Sequence, residues 1–171
     1  MLLYSDVISG DEMFSDAFPI KLVDGIVYEV DCQLITVKAG ADVDIGANPS
    51  AEEGGDEALE DGATQVNNVV YSFRLQATSF DKKSYLTYLK SYMKAVKGHL
   101  ESDESTKPLV TEFEKGAQAF AKKIIANFKD YEFYTGESMN PDGMVALLNY
   151  REDGVTPYFT FWKHGLKEVK L

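Results

Sequence analysis

Cysteine is almost missing from this chain: Cys32 is the only one in 171 residues. A single thiol excludes an internal disulfide framework and any zinc site built from several cysteines. Two readings of Cys32 stay open, an ordinary strand residue and a redox or dimer-linking thiol. Long apolar runs are missing too. No window reaches the roughly 18 consecutive apolar residues of a spanning helix, and the first residues show neither a basic n-region nor an apolar stretch of signal length. A soluble, cytoplasmic protein with no membrane partner is therefore expected. Asn48-Pro49-Ser50 is not a glycosylation acceptor, because proline fills its middle position.

Catalytic constellations are equally scarce. The two histidines, His99 and His164, stand in no motif with Cys, Ser or each other. No phosphate-binding glycine loop ends in Lys-Ser or Lys-Thr, and Gly136-Glu137-Ser138 lacks the last glycine of a nucleophile elbow. That tripeptide reads as a structural turn between strands. With no nucleophile paired to a base, no metal cluster and no phosphate cradle, a non-enzymatic protein with no required cofactor is expected.

Positive charge is short overall and absent from one segment. The net charge is −11, which argues against direct nucleic-acid binding, since that depends on lysine and arginine displacing phosphate counterions. Between Lys38 and Arg74 there is no basic residue, while Asp42, Asp44, Glu52, Glu53, Asp56, Glu57, Glu60 and Asp61 accumulate. From about 40 to 65 the composition is Gly, Ala, Asp and Glu with few large apolar side chains, too little to offset the entropy of ordering. A long mobile acidic loop is expected there. Asp42-Val43-Asp44-Ile45-Gly46 begins like a calcium loop but places glycine where a third oxygen ligand is needed. Weak Ca²⁺ binding by converging carboxylates is the expectation, not a sensor-grade site, and the metal ligands are unknown.

The remaining sequence carries period. Leu2–Tyr4, Lys21–Val23, Ile26–Cys32 and Leu34–Val37 read as strands, with Asp24-Gly25 as a hairpin turn. Val69–Leu75 reads as a further strand. A helix starts at Asp81 as N-cap and buries Tyr85, Leu89, Tyr92, Met93, Val96 and Leu100. Lys83, Lys90, Lys94 and Lys97 fall within a sector of roughly 60° on the opposite face at about 100° per residue. Pro108 suits the first turn of a second helix bearing Phe113, Ala117, Phe120, Ile124 and Phe128. The short linker between the two implies an antiparallel hairpin over about 81–128. Strands return at Tyr131–Tyr134, Met144–Tyr150 and Tyr158–Trp162, with Asp142-Gly143 and Asp153-Gly154 as turns. Strands, then helices, then strands indicate an α+β fold. One domain over 1–171 follows, its β core at 1–38, 66–80 and 129–171.

Two stretches carry a resemblance. Ile45-Gly46-Ala47-Asn48-Pro49-Ser50-Ala51-Glu52-Glu53 opens a tight turn into the acidic segment, and Phe128-Lys129-Asp130-Tyr131-Glu132-Phe133-Tyr134-Thr135-Gly136-Glu137-Ser138-Met139 runs on through Pro141-Asp142-Gly143. Together with Met1-Leu2-Leu3-Tyr4, Phe80-Asp81-Lys82-Lys83 and Trp162-Lys163-His164-Gly165-Leu166, they closely resemble the translationally controlled tumour protein family. Gly46, Asn48, Pro49, Ser50, Glu52, Gly136, Glu137 and Ser138 are the matching signature positions. The resemblance implies a tent-like β-sheet core with a projecting α-helical hairpin, a core similar to that of chaperones of Rab GTPases.

For function it implies protein synthesis and growth control, microtubule stabilisation and calcium binding. Its tubulin-binding segment falls on the helix with Lys83, Lys90, Lys94 and Lys97. The alternative it implies is control of nucleotide exchange or dissociation on a Rheb-type or translational GTPase, with Asp11 and Glu12 as contact candidates. Tubulin and microtubules, a small GTPase, and a translation elongation factor or the ribosome are the expected partners. Partial association with the cytoskeleton goes with them.

Overall fold

The computed structural model describes residues 1–38, 43–44 and 63–170. Among the described residues, three sheets and three α-helices make an α+β fold. One outer sheet joins β1 (Leu2–Asp6), β2 (Glu12–Ser15) and β12 (Leu166–Lys170) in the order β12-β1-β2. The central sheet has six strands in the order β3-β4-β11-β10-β9-β8. These are β3 (Ile20–Val23), β4 (Val27–Asp31), β8 (Gln76–Thr78), β9 (Glu132–Thr135), β10 (Ala146–Tyr150) and β11 (Pro157–Trp162). A third ladder is formed by β5 (Leu34–Lys38), β6 (Val43–Asp44) and β7 (Ala63–Asn67). Every strand pair is antiparallel.

The helices are α1 (Asn68–Phe73), α2 (Lys82–Glu101) and α3 (Val110–Ala126). Asp81 caps α2 as expected: it accepts from the Ser84 amide at 2.7 Å while the Ser84 hydroxyl takes the Asp81 amide at 3.1 Å. Two orphan backbone donors are satisfied reciprocally, which fixes where the helix begins. Pro108 sits in a single 3₁₀ turn, Lys107–Leu109, that runs into α3.

Side chains alternate across β11, and the alternation builds the layers. Phe161 points to the outer sheet and meets Phe14 at 4.4 Å between ring centroids, while Trp162 points the other way and meets Phe120 of α3 at 5.7 Å. Two strands away, β9 packs Phe133 on Tyr85 of α2. The central sheet is thus covered on both faces, and its inner strands are buried almost continuously instead of in alternation. The β3–β4 hairpin turns on Asp24 and Gly25, both with positive φ, as the Asp-Gly pair predicts.

Three expectations are corrected. Val69–Leu75 is not a strand; most of it is α1. The Asn67 side chain accepts from the amides of Val69 and Val70, Val69 is fully buried, and left-handed Arg74 ends the turn. A local cap plus one buried anchor outweighs the β preference of the valines and tyrosine. Strands β2 and β12 were not expected. Met13, Phe14 and Ser15 of β2 are buried consecutively, and β12 is largely exposed, so neither alternates cleanly. Of the acidic loop expected at 40–65, Val43–Asp44 and Ala63–Gln65 lie in strands, and the remainder lies outside the described residues.

Asp6, buried at the end of β1, ties these layers together. Its carboxylate accepts from the amides of Ile8 (3.0 Å), Ser9 (3.3 Å) and Met144 (2.7 Å), the Ser9 hydroxyl (2.7 Å) and the Tyr92 hydroxyl of α2 (3.3 Å). Gly143 is obligatory beside it, because a Cβ there would stand 2.9 Å from both the Asp6 carboxylate and the Ser9 side chain. Replacing Asp6 by alanine strands a buried amide and a buried hydroxyl, at about 1–3 kcal/mol each. Urea unfolding should show Asp6→Ala to cost about 3 kcal/mol or more, and Asp16→Ala, at an exposed site, under about 1 kcal/mol. Equal costs would remove Asp6 from its central place.

Candidate functional site

Lysines on α2 come first, because the helix register decides what they can meet. Lys90, Lys94 and Lys97 lie away from the buried stripe of α2, Lys94 farthest round the helix. They rim a groove of about 640 Å³ between α2 and α3, whose floor is Leu86, Leu89, Met93, Phe113, Ala117 and Ala121. Small Ala117 and Ala121, one turn apart on α3, leave the groove open, and Leu86 is 46% exposed beside it. The sequence reading treated the helix as two faces, whereas α3 covers only part of the apolar one. Lys97 lies 3.7 Å from Glu114 across the groove. Among the described residues, no carboxylate lies within 4 Å of Lys90 or Lys94. Lys83 is exposed and does not line the groove.

Asp11 and Glu12 form a second candidate surface, and here the structure joins two features that lie far apart in sequence. The Ser138 hydroxyl donates to the Asp11 carboxylate at 2.7 Å, with the Ser138 amide at 3.3 Å. Gly136 packs so closely on Asp11 that a Cβ would overlap the carboxylate, which requires glycine there. Glu137 turns outward and meets Arg74 at 3.2 Å, both side chains being largely exposed. The Gly136–Ser138 turn is therefore a buttress that fixes Asp11, while Glu12 at the start of β2 stays exposed. No spacing rule could have joined residues 127 apart.

Gly46, Asn48, Pro49, Ser50 and Glu52 lie outside the described residues. Among the described residues, no group of three or more His, Cys, Asp or Glu side chains is placed to hold a metal ion. The carboxylates offered for weak Ca²⁺ binding at 42–61 lie outside those whose side chains are described.

Sequence reasoning passed over several residues that build these surfaces. Tyr88 donates to the Gly143 carbonyl at 2.6 Å and accepts from the Val145 amide at 2.9 Å, pinning the 140–145 loop to α2. An aromatic at helical spacing signals core, and nothing local distinguishes the tyrosines that also hold a loop. Cys32 is buried with its thiol against the Val30 carbonyl, and burial pushes its pKa up to about 12. That environment matches the structural reading of the residue, not a reactive thiol. His164 is also buried, its ring tilted against Phe113 at 5.2 Å, with Nε2 3.0 Å from Glu112 of α3.

The family model described as translationally controlled tumour protein matches residues 1–167. A translationally-controlled tumor protein homolog of Yarrowia lipolytica is 66% identical over 171 residues, covering all of both chains. The homolog of Saccharomyces cerevisiae is 59% identical over the same span, again covering all of both. Among solved structures, the translationally controlled tumor-associated protein p23fyp of Schizosaccharomyces pombe superposes with a TM-score of 0.82 at 62% identity, covering all of both chains. The translationally-controlled tumor protein of Caenorhabditis elegans gives 0.72 at 31% identity, covering all of this chain and 99% of that one.

The histidine gives this region a pH dependence whose sign is fixed. Burial lowers the His164 pKa, with Glu112 opposing it and Lys163 adding to it. Above about pH 6.5 the residue is neutral in both folded and unfolded chains. As pH falls below that value the unfolded chain takes up the proton first, so stability is lost, with a slope of at most about 1.4 kcal/mol per pH unit. Denaturation of the protein and of His164→Gln between pH 7.5 and 5 should show a shallower loss in the variant. A steeper loss in the variant would mean that the Glu112 contact outweighs burial.

Proposed function

The chain belongs to the translationally controlled tumour protein family, and from that premise we propose that it is a non-enzymatic, cytoplasmic interaction protein. It acts in protein synthesis and growth control and stabilises microtubules. The observation that carries the microtubule reading is the lysine rim of the α2–α3 groove. On a chain of net charge −11, Lys90, Lys94 and Lys97 concentrate positive charge along one edge of one helix, the arrangement an acidic polymer surface such as tubulin requires. Spacings of four and three residues put successive amines on one line. Exposed charges are screened over about 8 Å at physiological ionic strength, so the contact is salt-sensitive. The described residues supply no geometry for a calcium site, and none is assigned.

A second reading rests on a different observation. Asp11 is held in place by Ser138 and Gly136, and a carboxylate fixed in this way beside exposed Glu12 supports contact with a small or translational GTPase. A partner that changes nucleotide release must bind the loaded and empty states unequally, every 1.4 kcal/mol of preference being about tenfold. The elongation factor and the ribosome belong to this reading.

The two separate cleanly by variant. Lys90→Glu with Lys94→Glu should weaken co-sedimentation with microtubules by about five- to thirtyfold at 0.1 M salt, as two reversed charges remove about 1–2 kcal/mol. It should leave nucleotide release from a Rheb-type GTPase unchanged. Glu12→Val should alter nucleotide release and leave co-sedimentation unchanged. Microtubule binding that survives the double reversal would overturn the first reading. Nucleotide release indifferent to the protein at any concentration would overturn the second.

A further inference from the structure

A second concavity lies on the other flank of α2, and neither surface above uses it. Ser91 and Ala95, one turn apart, are small where the neighbouring positions Tyr88 and Tyr92 are large, so α2 is notched there. Ile8, Phe80, Thr135, Met139, Pro141 and Val145 complete a mainly apolar cleft of about 670 Å³. Its walls are rigid for reasons already given. Tyr88 bonds both the Gly143 carbonyl and the Val145 amide, and Tyr92 reaches Asp6, which in turn holds the Met144 amide. A void that persists between such fixed walls is a shape of the native state, not a gap the loop can collapse into.

The mouth has a definite chemistry. Met139 has a left-handed backbone, φ 57°, and is 59% exposed, so an unbranched, polarisable thioether stands at the entrance where it can adapt to what enters. Among the described residues, Asp142 is the only charged residue lining the cleft, with no basic residue in the lining. Its side chain is in no hydrogen bond or ion pair among the described residues. The chain entering the cleft wall carries the same sign. Met139 follows Glu137 and Ser138, and Ser138 is bonded to Asp11 next to Glu12. Among the described residues, Arg74 is the cation paired with them, through Glu137.

We propose that this cleft is a docking slot for a basic peptide segment of a partner, which inserts one bulky apolar side chain between Ala95 and Met139 and sets a flanking lysine or arginine against Asp142. The charge of the mouth selects the occupant: an acidic segment, the kind the α2–α3 groove would take, is repelled here. Apolar burial supplies the affinity and the carboxylate supplies orientation and sign. The slot needs neither reading of the preceding subsection to be correct. Its test uses the whole protein and no GTPase or tubulin.

The probe is a capped pentapeptide of four lysines around a central tryptophan, titrated into ¹⁵N-labelled protein at low salt. Amide shifts should concentrate on Ser91, Ala95, Met139 and Asp142. The same peptide with central alanine should bind at least about tenfold more weakly, as should the tryptophan peptide to Ala95→Trp, which fills the notch. Asp142→Asn, at an exposed position that should not disturb folding, should weaken binding about threefold and flatten its salt dependence. Equal binding of the alanine peptide, equal binding of a tetraglutamate peptide with central tryptophan, or shifts located away from the cleft would each overturn the proposal. Indole alone binding as tightly as the pentapeptide would overturn it in favour of a small-molecule pocket.

Discussion

A single buried carboxylate organises this fold. Asp6 ends β1 in the outer sheet, yet its acceptors are engaged by the Met144 amide before β10 and by the Tyr92 hydroxyl of α2. A polar group in the interior is tolerable only when its lone pairs are met by donors, and here five donors converge on one carboxyl group. The consequence runs outward. The 6–11 loop folds back on Asp6 through Ile8 and Ser9, and the Asp6 amide donates to the Asp11 carbonyl at 2.8 Å. Asp11 therefore reaches Ser138 from a backbone already fixed at the core. Apolar packing alone would bring the layers together, but would not specify their register so closely.

Helix α2 then carries three neighbouring sectors around its circumference. Tyr85, Leu89, Tyr92, Val96 and Leu100 are buried in the core. On one side Leu86, Lys90, Met93 and Lys97 edge the groove against α3, and on the other Ser91 and Ala95 edge the cleft against the 139–145 loop. At about 100° per residue these sets follow one another without overlap, apart from the tyrosines and Leu89 that line both core and concavity. One element positions two concavities of opposite electrostatic character, and the aromatic contacts of its core sector hold both at fixed separation.

Much of this was legible in the sequence, and the reasons for the rest are physical. The helical hairpin, its Asp81 cap and the Asp24-Gly25 turn follow from local rules, because period, capping and positive φ are decided within a few residues. The α1 segment defeated the same rules. Asn67 supplied a cap that a valine-rich pattern hides, and burial of Val69 completed it. The lysine positions were readable but their surroundings were not, since which part of an apolar stripe a partner helix covers depends on the crossing of two helices. Asp11 with Ser138, and Asp6 with Tyr92 and Met144, pair residues that only the folded topology brings together. Asp6 in particular carries no local signal of its role, because its partners lie 86 and 138 residues away.

The electrostatics of the two concavities also restrict how the protein can work. A chain of net charge −11 attracts basic partners over most of its surface, and a general attraction of that kind speeds encounter without choosing an orientation. Orientation has to come from places where charge and shape coincide. The groove couples amines to an apolar floor, and the cleft couples one unpaired carboxylate to an apolar slot, so each accepts one sign and one anchor. Because α2 walls both and Tyr88 pins the 139–145 loop to it, docking there would order little of the protein itself, and the entropic cost would fall mainly on the partner. On the proposed readings, two partners of opposite charge would be held on one helix without competing for the same side chains, a property that neither the net charge nor the family resemblance alone would predict.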